Sequence, residues 1–358
     1  MGHLWLREET KPHERRTPLL PEQAAVLVRS GHTVVVESSG TRIAPDAEFA
    51  AAGCRLEPPG TWVDAPAEFF ILGLKELPSG NFPLRHSHIY YAHCYKGQDH
   101  SRSLLRRFRD GGGTLLDCEY LTDDNGFALT VGRIGWLSGF VGAALAVQFV
   151  FDKALHRALE IPHPYFPDRQ SLVARVVESA SEADFRPSVV IIGHRGNAGS
   201  GASELCREVG IVPTRWGRAE TADPDILATL PQFDVLVNCI QSDTAGSPFL
   251  QERDLSAESR LSILADVTCD VGSPAHRFPL YSQVTTIDQP VIPVGPAGSV
   301  DVISIDHLTT LVPAEASRLI AEPLFPQLQE LLDTGESALP GPWRNTRQTF
   351  LEVMRNLC

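Results

Sequence analysis

Basic residues are scarce in this chain. Its 31 lysines and arginines face 44 aspartates and glutamates, which leaves a net charge of −13 at pH 7 over 358 residues. We therefore expect neither nucleic acid nor an anionic membrane surface as a partner, because both repel an acidic protein without a basic stripe. Internal repeats and low-complexity tracts are also missing.

Long apolar runs and paired cysteines are missing as well. The longest apolar stretch, Gly139–Phe151, covers 13 residues, which is too short for a membrane span and predicts a buried helix. The seven cysteines include no CxxC pair, so free thiols in a reducing compartment are expected. The charged N-terminal segment does not resemble a signal peptide, and cytoplasmic localisation is the expectation.

Strand-like and helix-like segments alternate along the chain, which predicts an α/β fold. In the first third, apolar strands such as "HTVVVES", "FFILGL" and "HIYYA" are mixed with helical segments. A second α/β unit begins at Pro187, and a leucine-rich helical segment near the C-terminus is expected to pack back on the first unit. We expect two Rossmann-like domains with parallel sheets around a central cleft. A discontinuous substrate domain would comprise 1–137 and 319–358, and a dinucleotide-binding domain 138–318.

A glycine-rich turn follows one of the predicted strands. In "VVIIGHRGNAGSGA" the strand leads directly into Gly193, Gly196 and Gly199 and then into a helical segment. Such glycines allow a tight turn, close approach of the backbone to a pyrophosphate and close helix–strand packing, while the helix N-terminus attracts phosphate. The spacing is GxxGxxG rather than GxGxxG, so a turn that only packs the helix is the alternative. The order of strand, glycines, helix and strand predicts dinucleotide binding.

The next strand of this unit, "VPTRW", is expected to end at the cofactor ribose. An NAD site places a carboxylate there, but this chain has Gly217 followed by Arg218. The guanidinium could hold a 2′-phosphate, which favours NADP slightly over NAD. In the alternative, which has nearly equal support, Arg218 is a solvated surface residue and Glu220 binds the ribose.

Three titratable side chains directly follow predicted strands of the first domain: Lys75, His93 and Glu119. Ligands bind beyond the carboxyl ends of parallel strands, so we expect these groups at one edge of the sheet, facing a cleft. A half-buried lysine acts as a base near neutrality when its pKa falls, and histidine titrates there without help. Taken singly, Lys75 is equally well explained as an edge lysine, and His93 is better explained as a hydrogen-bonded structural histidine. Only the convergence of three strand ends favours the functional interpretation.

Other catalytic patterns do not fit. The chain has 12 histidines, but the spacing of His86, His88 and His93 matches no common zinc pattern, and no metal is expected. The sequence also lacks the GxSxG motif of serine hydrolases.

The segments "LREETKPHERR", "ILGLKELP", "YYAHCYKGQ", "LLDCEYL", "GFVGAAL", "VNCI" and "VISIDHL" occur in this order. In order and spacing they resemble the NAD-dependent, lysine-forming saccharopine dehydrogenases, and the similarity covers most of the chain. The resemblance implies two Rossmann-like domains and kinship with alanine dehydrogenase and transhydrogenase domain I. It also implies oxidation of saccharopine with NAD to lysine and 2-oxoglutarate through an imine.

The resemblance implies residue roles as well. Lys75 in "GLKE" and His93 in "AHCYK" match the family's catalytic lysine and histidine, and Glu119 matches their acidic neighbour. Arg16 matches an arginine that binds a substrate carboxylate, and Gln98 matches a glutamine that contacts substrate. The family's cofactor segments are matched by Gly196, Asn197, Thr221, Val267, Ile305, Asp306, His307 and Leu308.

The sequence also departs from the family pattern. Gly217 replaces an aspartate that is consistent with NAD use, and Asn197 replaces an arginine. Before the long apolar helix the family has two arginines, one of which binds the oxoglutarate moiety. Here the segment is slightly longer and holds only Arg133. Either Arg133 substitutes from a shifted position or the oxo-acid pocket has changed.

The predicted function is oxidoreduction of a CH–NH bond. An opine-type secondary amine would be interconverted with an amino acid and a 2-oxo acid through an imine, using NAD or NADP. One alternative is a simple amino-acid dehydrogenase or imine reductase on the same scaffold, and another is a non-catalytic nucleotide-binding homologue. The protein is expected to be a monomer or a homodimer.

Overall fold

The computed structural model describes residues 1–95, 101–130, 132–162, 165–241, 244–269, 271–273 and 275–356. The chain divides into two compact units, the first being Met1–Gly132 with Pro313–Cys358 and the second Arg133–Val312. The boundaries expected from the sequence, 137/138 and 318/319, lie a few residues later in each case. Each unit is built on one six-stranded sheet, and the predicted α/β class is confirmed.

Both units alternate strands and helices along the chain. The strands are β1 (His3–Leu6), β2 (Thr33–Glu37), β3 (Arg55–Glu57), β4 (Phe69–Leu72), β5 (Ser87–Tyr90), β6 (Thr114–Asp117), β7 (Val189–Ile192), β8 (Thr214–Trp216), β9 (Val235–Asn238), β10 (Ile263–Asp266), β11 (Ile292–Val294) and β12 (Val300–Ile303). The helices are α1 (Pro21–Arg29), α2 (Asp46–Ala51), α3 (Ser101–Gly111), α4 (Gly132–Ala154), α5 (Arg169–Glu182), α6 (Asn197–Glu208), α7 (Arg218–Ala222), α8 (Pro224–Leu227), α9 (Pro313–Thr334) and α10 (Gly341–Arg355).

The first sheet is parallel throughout, with the strand order β3-β2-β1-β4-β5-β6. All residues of β4 and β5 are buried. Burial on both faces explains why β4 is a continuous apolar run rather than an alternating pattern, whereas β5 also buries Ser87 and His88. The chain reverses its direction of winding between β1 and β4. In doubly wound sheets the crevice at such a reversal binds ligands, so the residues that follow β1 and β4 are positioned for binding.

The second sheet has the order β11-β12-β10-β9-β7-β8, and only β11 runs antiparallel to its neighbour. Its winding reverses between β7 and β9, which places the corresponding crevice at the carboxyl end of β7. The glycine-rich turn begins at that end, because Gly193 directly follows β7.

The C-terminal helices α9 and α10 belong to the first unit. The Thr346 hydroxyl of α10 donates a hydrogen bond to the Asp117 carbonyl at the end of β6, over 2.9 Å. The ring of Phe350 packs edge-on against Phe108 of α3, with centroids 5.5 Å apart. These contacts join the last segment of the chain to the sheet that carries the predicted catalytic groups.

Helix α4 begins earlier than the apolar run Gly139–Phe151 from which it was predicted. By length and composition alone it could cross a membrane, but 78% of its most apolar window is buried within the protein, as in a core helix. It packs against α6 through glycines. A β-carbon on Gly139 would overlap the Ala198 carbonyl oxygen, and one on Gly201 would overlap the Trp136 carbonyl oxygen. This contact therefore requires both glycines.

We expect Gly139→Ala to lower the free energy of unfolding by about 1–3 kcal/mol, because the added methyl group meets backbone atoms that cannot rotate away. Gly135→Ala is the matched control in the same helix. Its new β-carbon would find only the Asn197 β-carbon, at 3.8 Å, and the gain in helix propensity should stabilise α4 by up to about 1 kcal/mol. Urea unfolding of both variants measures the difference, and equal midpoints would rule out the packing role of Gly139.

Candidate active site

The three predicted proton carriers lie at one edge of the first sheet. Strands β4, β5 and β6 are parallel neighbours, and Lys75, His93 and Glu119 follow their carboxyl ends. The backbone N–H of Tyr91 donates to the Leu74 carbonyl over 3.3 Å. The segments that follow β4 and β5 therefore remain hydrogen-bonded to each other as far as Leu74, the residue before Lys75. The sheet thus gathers groups that are widely separated in sequence.

His93 and Glu119 form a direct pair. Nδ1 of the imidazole lies 2.6 Å from Oε1 of the carboxylate. The exposed fraction is 43% for the His93 side chain and 25% for that of Glu119, so both groups remain open at the surface. The backbone of His93 has a φ of 46°, an uncommon conformation for a residue with a side chain and one that is concentrated at functional sites. A carboxylate on Nδ1 favours the proton there and leaves Nε2 to exchange protons with a ligand.

A third acidic group, Asp117, adjoins this pair, and the sequence analysis missed it. The side chain is fully buried, and its Oδ1 accepts hydrogen bonds from the backbone N–H groups of Ala92 (3.4 Å) and Glu119 (3.0 Å). Among the described residues Oδ2 has no partner. Burial, followed by the negative charge of Glu119, raises the pKa of Asp117 to about 7. The only sequence signal is a single carboxyl group at the end of an apolar strand, in "LLDCEY".

Arg16 is held by Glu14 in a nearly fully buried ion pair. Its Nε lies 2.7 Å from Glu14 Oε1 and its Nη2 lies 2.5 Å from Oε2, the two-point geometry typical of arginine and a carboxylate. Burial raises the pKa of Glu14, but Arg16 and, to a smaller extent, Lys75 together bring it below its ordinary value. Glu14 is therefore ionised, and its charge attracts both Arg16 and Lys75.

Glu9 fixes the backbone at Lys75 and is another residue that the sequence analysis did not single out. Its carboxylate accepts hydrogen bonds from the N–H groups of Leu74 (2.7 Å) and Lys75 (2.9 Å). The Arg7 guanidinium lies 3.4 Å from the same carboxylate and also donates to the Lys75 carbonyl. Burial raises the pKa of Glu9 above its ordinary value. The Lys75 side chain itself is buried. Arg7, Glu9, Glu14 and Arg16 line a small cavity together with Ser39 and Arg42, which follow β2.

The two other predicted substrate residues are placed differently. Gln98 lies outside the described residues. Arg133 is the first residue of the second unit and is exposed in the first turn of α4. Within the ranges that the structure describes, no group of three or more His, Cys, Asp or Glu side chains is arranged to hold a metal ion.

The glycine turn after β7 has the features of a phosphate cradle. Gly193 has a φ of 82°, which favours glycine, and its N–H donates to the Trp216 carbonyl over 2.9 Å. A β-carbon on Gly199 would overlap the Gly193 carbonyl, so α6 needs glycine there to pack against the turn. Gly196 precedes α6 and provides no side-chain cap, and Asn197 begins the helix. The N-terminal N–H groups of α6 thus lack a capping side chain, and the turn fits the pyrophosphate of a dinucleotide.

The end of β8 carries the residues predicted to lie near the ribose. The Thr221 hydroxyl donates to the Gly217 carbonyl over 3.0 Å, and the Gly217 N–H donates to Oε2 of Glu220 over 2.7 Å. Arg218 is exposed at the first position of α7. A carboxylate, rather than the guanidinium alone, therefore occupies this end of the strand.

The residues predicted on the nicotinamide side follow β10 and β12. Val267 directly follows β10, and Leu308 begins the short helical turn after β12. A β-carbon on Gly142 of α4 would lie 2.7 Å from Val267 and 3.3 Å from Leu308, so both side chains converge on the same point of α4. The loop between β12 and this turn contains buried Ile305 and the pair Asp306–His307, whose Oδ1 and Nδ1 atoms lie 2.6 Å apart.

Comparison with known proteins identifies close relatives. Saccharopine dehydrogenase [NAD(+), L-lysine-forming] of Neurospora crassa is 39% identical over 99% of this chain and 97% of its own length. The enzyme of the same name from Yarrowia lipolytica is 40% identical over 92% of each chain. The family "Alanine dehydrogenase/PNT, N-terminal domain" matches residues 5–131. These names do not support the slight preference for NADP that was predicted from Gly217 and Arg218.

Solved structures support the fold. An L-alanine dehydrogenase superimposes with a TM-score of 0.71 at 15% identity, covering 99% of this chain and 100% of the other. A transhydrogenase from Sinorhizobium meliloti superimposes with a TM-score of 0.58 at 17% identity, covering 93% and 95%. At such identities the likeness concerns the architecture alone.

The raised pKa of Asp117 predicts a pH-dependent stability. Between about pH 4 and pH 7 the folded state holds a proton that the unfolded state has released, so the free energy of unfolding falls as the pH rises through this range. Asp117→Asn keeps an oxygen for the two backbone donors but cannot ionise. We expect this variant to gain a few kcal/mol relative to the native protein between pH 4 and pH 8, as measured by urea unfolding.

The exposed Asp110 of α3 provides the control. Asp110→Asn removes the same carboxyl group from a solvated position and should leave the pH profile of unfolding unchanged. If Asp117→Asn and the native protein gave parallel profiles, Asp117 would be ionised throughout and the assigned proton would be absent.

Proposed function

We propose that this chain, which belongs to the family of NAD(+)-dependent, L-lysine-forming saccharopine dehydrogenases, oxidises saccharopine to lysine and 2-oxoglutarate. The reaction consumes one secondary amine, one NAD+ and one water, and it yields an amino acid, a 2-oxo acid, NADH and a proton. The observation that carries the proposal is that Lys75, His93 and Glu119 follow three neighbouring parallel strands at one edge of the sheet, with His93 and Glu119 in direct contact.

The cofactor, when bound, supplies the hydride acceptor. Gly193, Gly196, Asn197 and Gly199 would hold its pyrophosphate at the turn before α6. Val267, Ile305, Asp306, His307 and Leu308 would line its nicotinamide side, and Thr221 the ribose side. NAD(H) is the proposed form of the cofactor.

The protein groups move the protons of the reaction. Loss of a hydride and of the N–H proton converts the secondary amine to an imine, and Lys75 takes the N–H proton. Lys75 returns this proton to the imine nitrogen while Nε2 of His93 removes a proton from the water that attacks the imine carbon, which gives a neutral carbinolamine. When the C–N bond breaks, the imidazolium of His93 protonates the departing nitrogen, which leaves as the amino acid, and Lys75 takes the proton of the carbinolamine hydroxyl, which becomes the oxo group. Glu119, bound to Nδ1, stabilises the imidazolium that forms in between.

Arginines would hold the substrate carboxylates. Arg16 is proposed for this role from its buried position, where a substrate carboxylate would share its guanidinium with Glu14. Gln98 is proposed to contact the substrate, and Arg133 to bind the oxo-acid portion from its shifted position. Occurrence as a monomer or homodimer in the cytoplasm is part of the same proposal.

The alternatives raised by the sequence are not favoured. A simple amino-acid dehydrogenase or imine reductase needs no second amino acid, whereas the relatives that match over nearly the whole chain are named for a secondary amine of two amino-acid skeletons. A non-catalytic nucleotide-binding homologue has no use for the His93–Glu119 pair.

An assay in the reductive direction tests the proposed substrates. Full-length protein, NADH and 2-oxoglutarate are mixed with either lysine or ammonia, and the loss of NADH absorbance is followed. We expect turnover with lysine and formation of saccharopine. Turnover with ammonia but not with lysine would replace the proposal by the simple dehydrogenase.

Lys75→Met is expected to reduce turnover by about 10²–10⁴-fold, the range typical of a lost proton-transfer group, while NADH binding stays near the native value. Lys75→Arg separates charge from proton transfer, because a guanidinium stays protonated at every accessible pH. Both variants should be slow. Steady-state rates and NADH fluorescence titrations provide the two measurements, and native turnover in Lys75→Arg would limit Lys75 to an electrostatic role.

A further inference from the structure

The ribose end of the second sheet contains the carboxylate of Glu220, although the sequence pattern slightly favoured Arg218 as the residue that contacts the cofactor there. β7 and β8 are parallel neighbours, and the Gly193 N–H donates to the Trp216 carbonyl, the last carbonyl of β8. The residue after β8, Gly217, therefore lies beside the phosphate-binding turn. In NAD-binding folds this position places an acidic side chain on the ribose 2′-hydroxyl, but glycine has no side chain to offer.

Glu220 occupies the space that a side chain at Gly217 would enter. A β-carbon built on Gly217 has two neighbours within 4 Å, Oε2 of Glu220 at 3.5 Å and Nε2 of His194 at 3.9 Å. The same Oε2 accepts a hydrogen bond from the Gly217 N–H over 2.7 Å, which fixes the carboxylate at the strand end. Glu220 comes one helical turn after Gly217 in the sequence, but its carboxylate lies where a side chain at position 217 would lie.

The carboxylate at this position is anionic. Hydrogen bonds from the backbone N–H groups of Gly217 and of Glu220 itself hold the pKa of Glu220 below its ordinary value, and the charges of Arg195 and His194 act in the same direction. A carboxylate offers about four lone-pair sites, so it can accept ribose hydroxyls while it keeps the Gly217 N–H. A 2′-phosphate would meet a like charge at the same point.

Two exposed arginines near Glu220 would instead favour binding of NADP(H). Arg195 lies in the glycine turn and Arg218 begins α7, and either could attract a 2′-phosphate. Both side chains are solvated, where a charge has little effect on a ligand. Glu220 differs from them because the Gly217 N–H fixes its carboxylate at the strand end. A carboxylate fixed there favours a ribose hydroxyl over a 2′-phosphate.

We propose that Glu220 binds the adenosine ribose hydroxyls of the cofactor and selects NAD(H) against NADP(H), in the role that Gly217 cannot fill. This inference rests on the proposed function, because it requires that the second unit binds a nicotinamide dinucleotide.

Binding of NADH and NADPH to the full-length protein, measured separately by fluorescence titration without substrate, tests the inference. The native protein should prefer NADH. Glu220→Gln keeps an oxygen for the Gly217 N–H but loses the charge, and we expect NADH binding to weaken by about 10- to 100-fold, as for a lost hydrogen bond to a charged group. NADPH binding should strengthen, because the like charge has gone.

Two further variants distinguish loss of the carboxylate at the ribose from general effects of substitution on cofactor binding. Gly217→Asp combined with Glu220→Gln returns a carboxylate to the strand end and should restore the preference for NADH. Asp225→Asn removes a carboxylate from the adjacent helix α8, at an exposed position, and should leave both affinities unchanged. Circular dichroism confirms folding, and Glu220→Ala replaces Glu220→Gln if the latter does not fold.

The outcomes distinguish the inference from the function on which it rests. A native protein that binds neither nucleotide would overturn both. A native protein that prefers NADH, with an unchanged NADH/NADPH affinity ratio in Glu220→Gln, would overturn the role of Glu220 and leave the proposed function intact. A native preference for NADPH would also overturn the role of Glu220.

Discussion

The parallel pairing of β4, β5 and β6 is the constraint on which the proposed chemistry depends. Because the three strands run the same way, their carboxyl ends lie at one edge, and the residues that follow them are brought together without any loop having to reach across the sheet. The contact between His93 and Glu119 is a direct result, since these residues come from adjacent strands. A reversed strand would have sent one of these groups to the opposite edge.

The site then depends on how burial acts on carboxyl groups that have different partners. Glu14 is buried against a guanidinium and remains ionised. Burial and the charge of Glu119 raise the pKa of Asp117 to about 7, although two backbone N–H groups act in the opposite direction. Glu14, as an anion, thus binds the Arg16 cation, whereas Asp117 holds a proton close to His93. The same functional group, a buried carboxyl, therefore performs two tasks because its neighbours differ.

The sequence predicted those parts of the molecule that depend on local pattern. The apolar segments that precede Lys75, His93 and Glu119 were recognisable, because strands covered on both faces tend to be continuous apolar runs. Glu9 and Asp117 were not recognisable, because their roles depend on backbone N–H groups contributed by other segments of the chain. The start of α4 was placed too late for a different reason. Its N-terminal part is less apolar than its centre, and only the apolar centre was used to predict the helix.

The ribose end shows why position in the fold matters more than position in the sequence. The pattern rule examines the residue that follows β8, and at Gly217 it finds no carboxylate. The chain turns there into α7, so that Glu220 returns to the strand end and its oxygen meets the Gly217 N–H. A missing acidic residue in a sequence pattern is therefore weak evidence for NADP(H) when a helical turn follows directly. What discriminates against a 2′-phosphate is a negative charge at that point in space, and any residue whose backbone leads there can provide it.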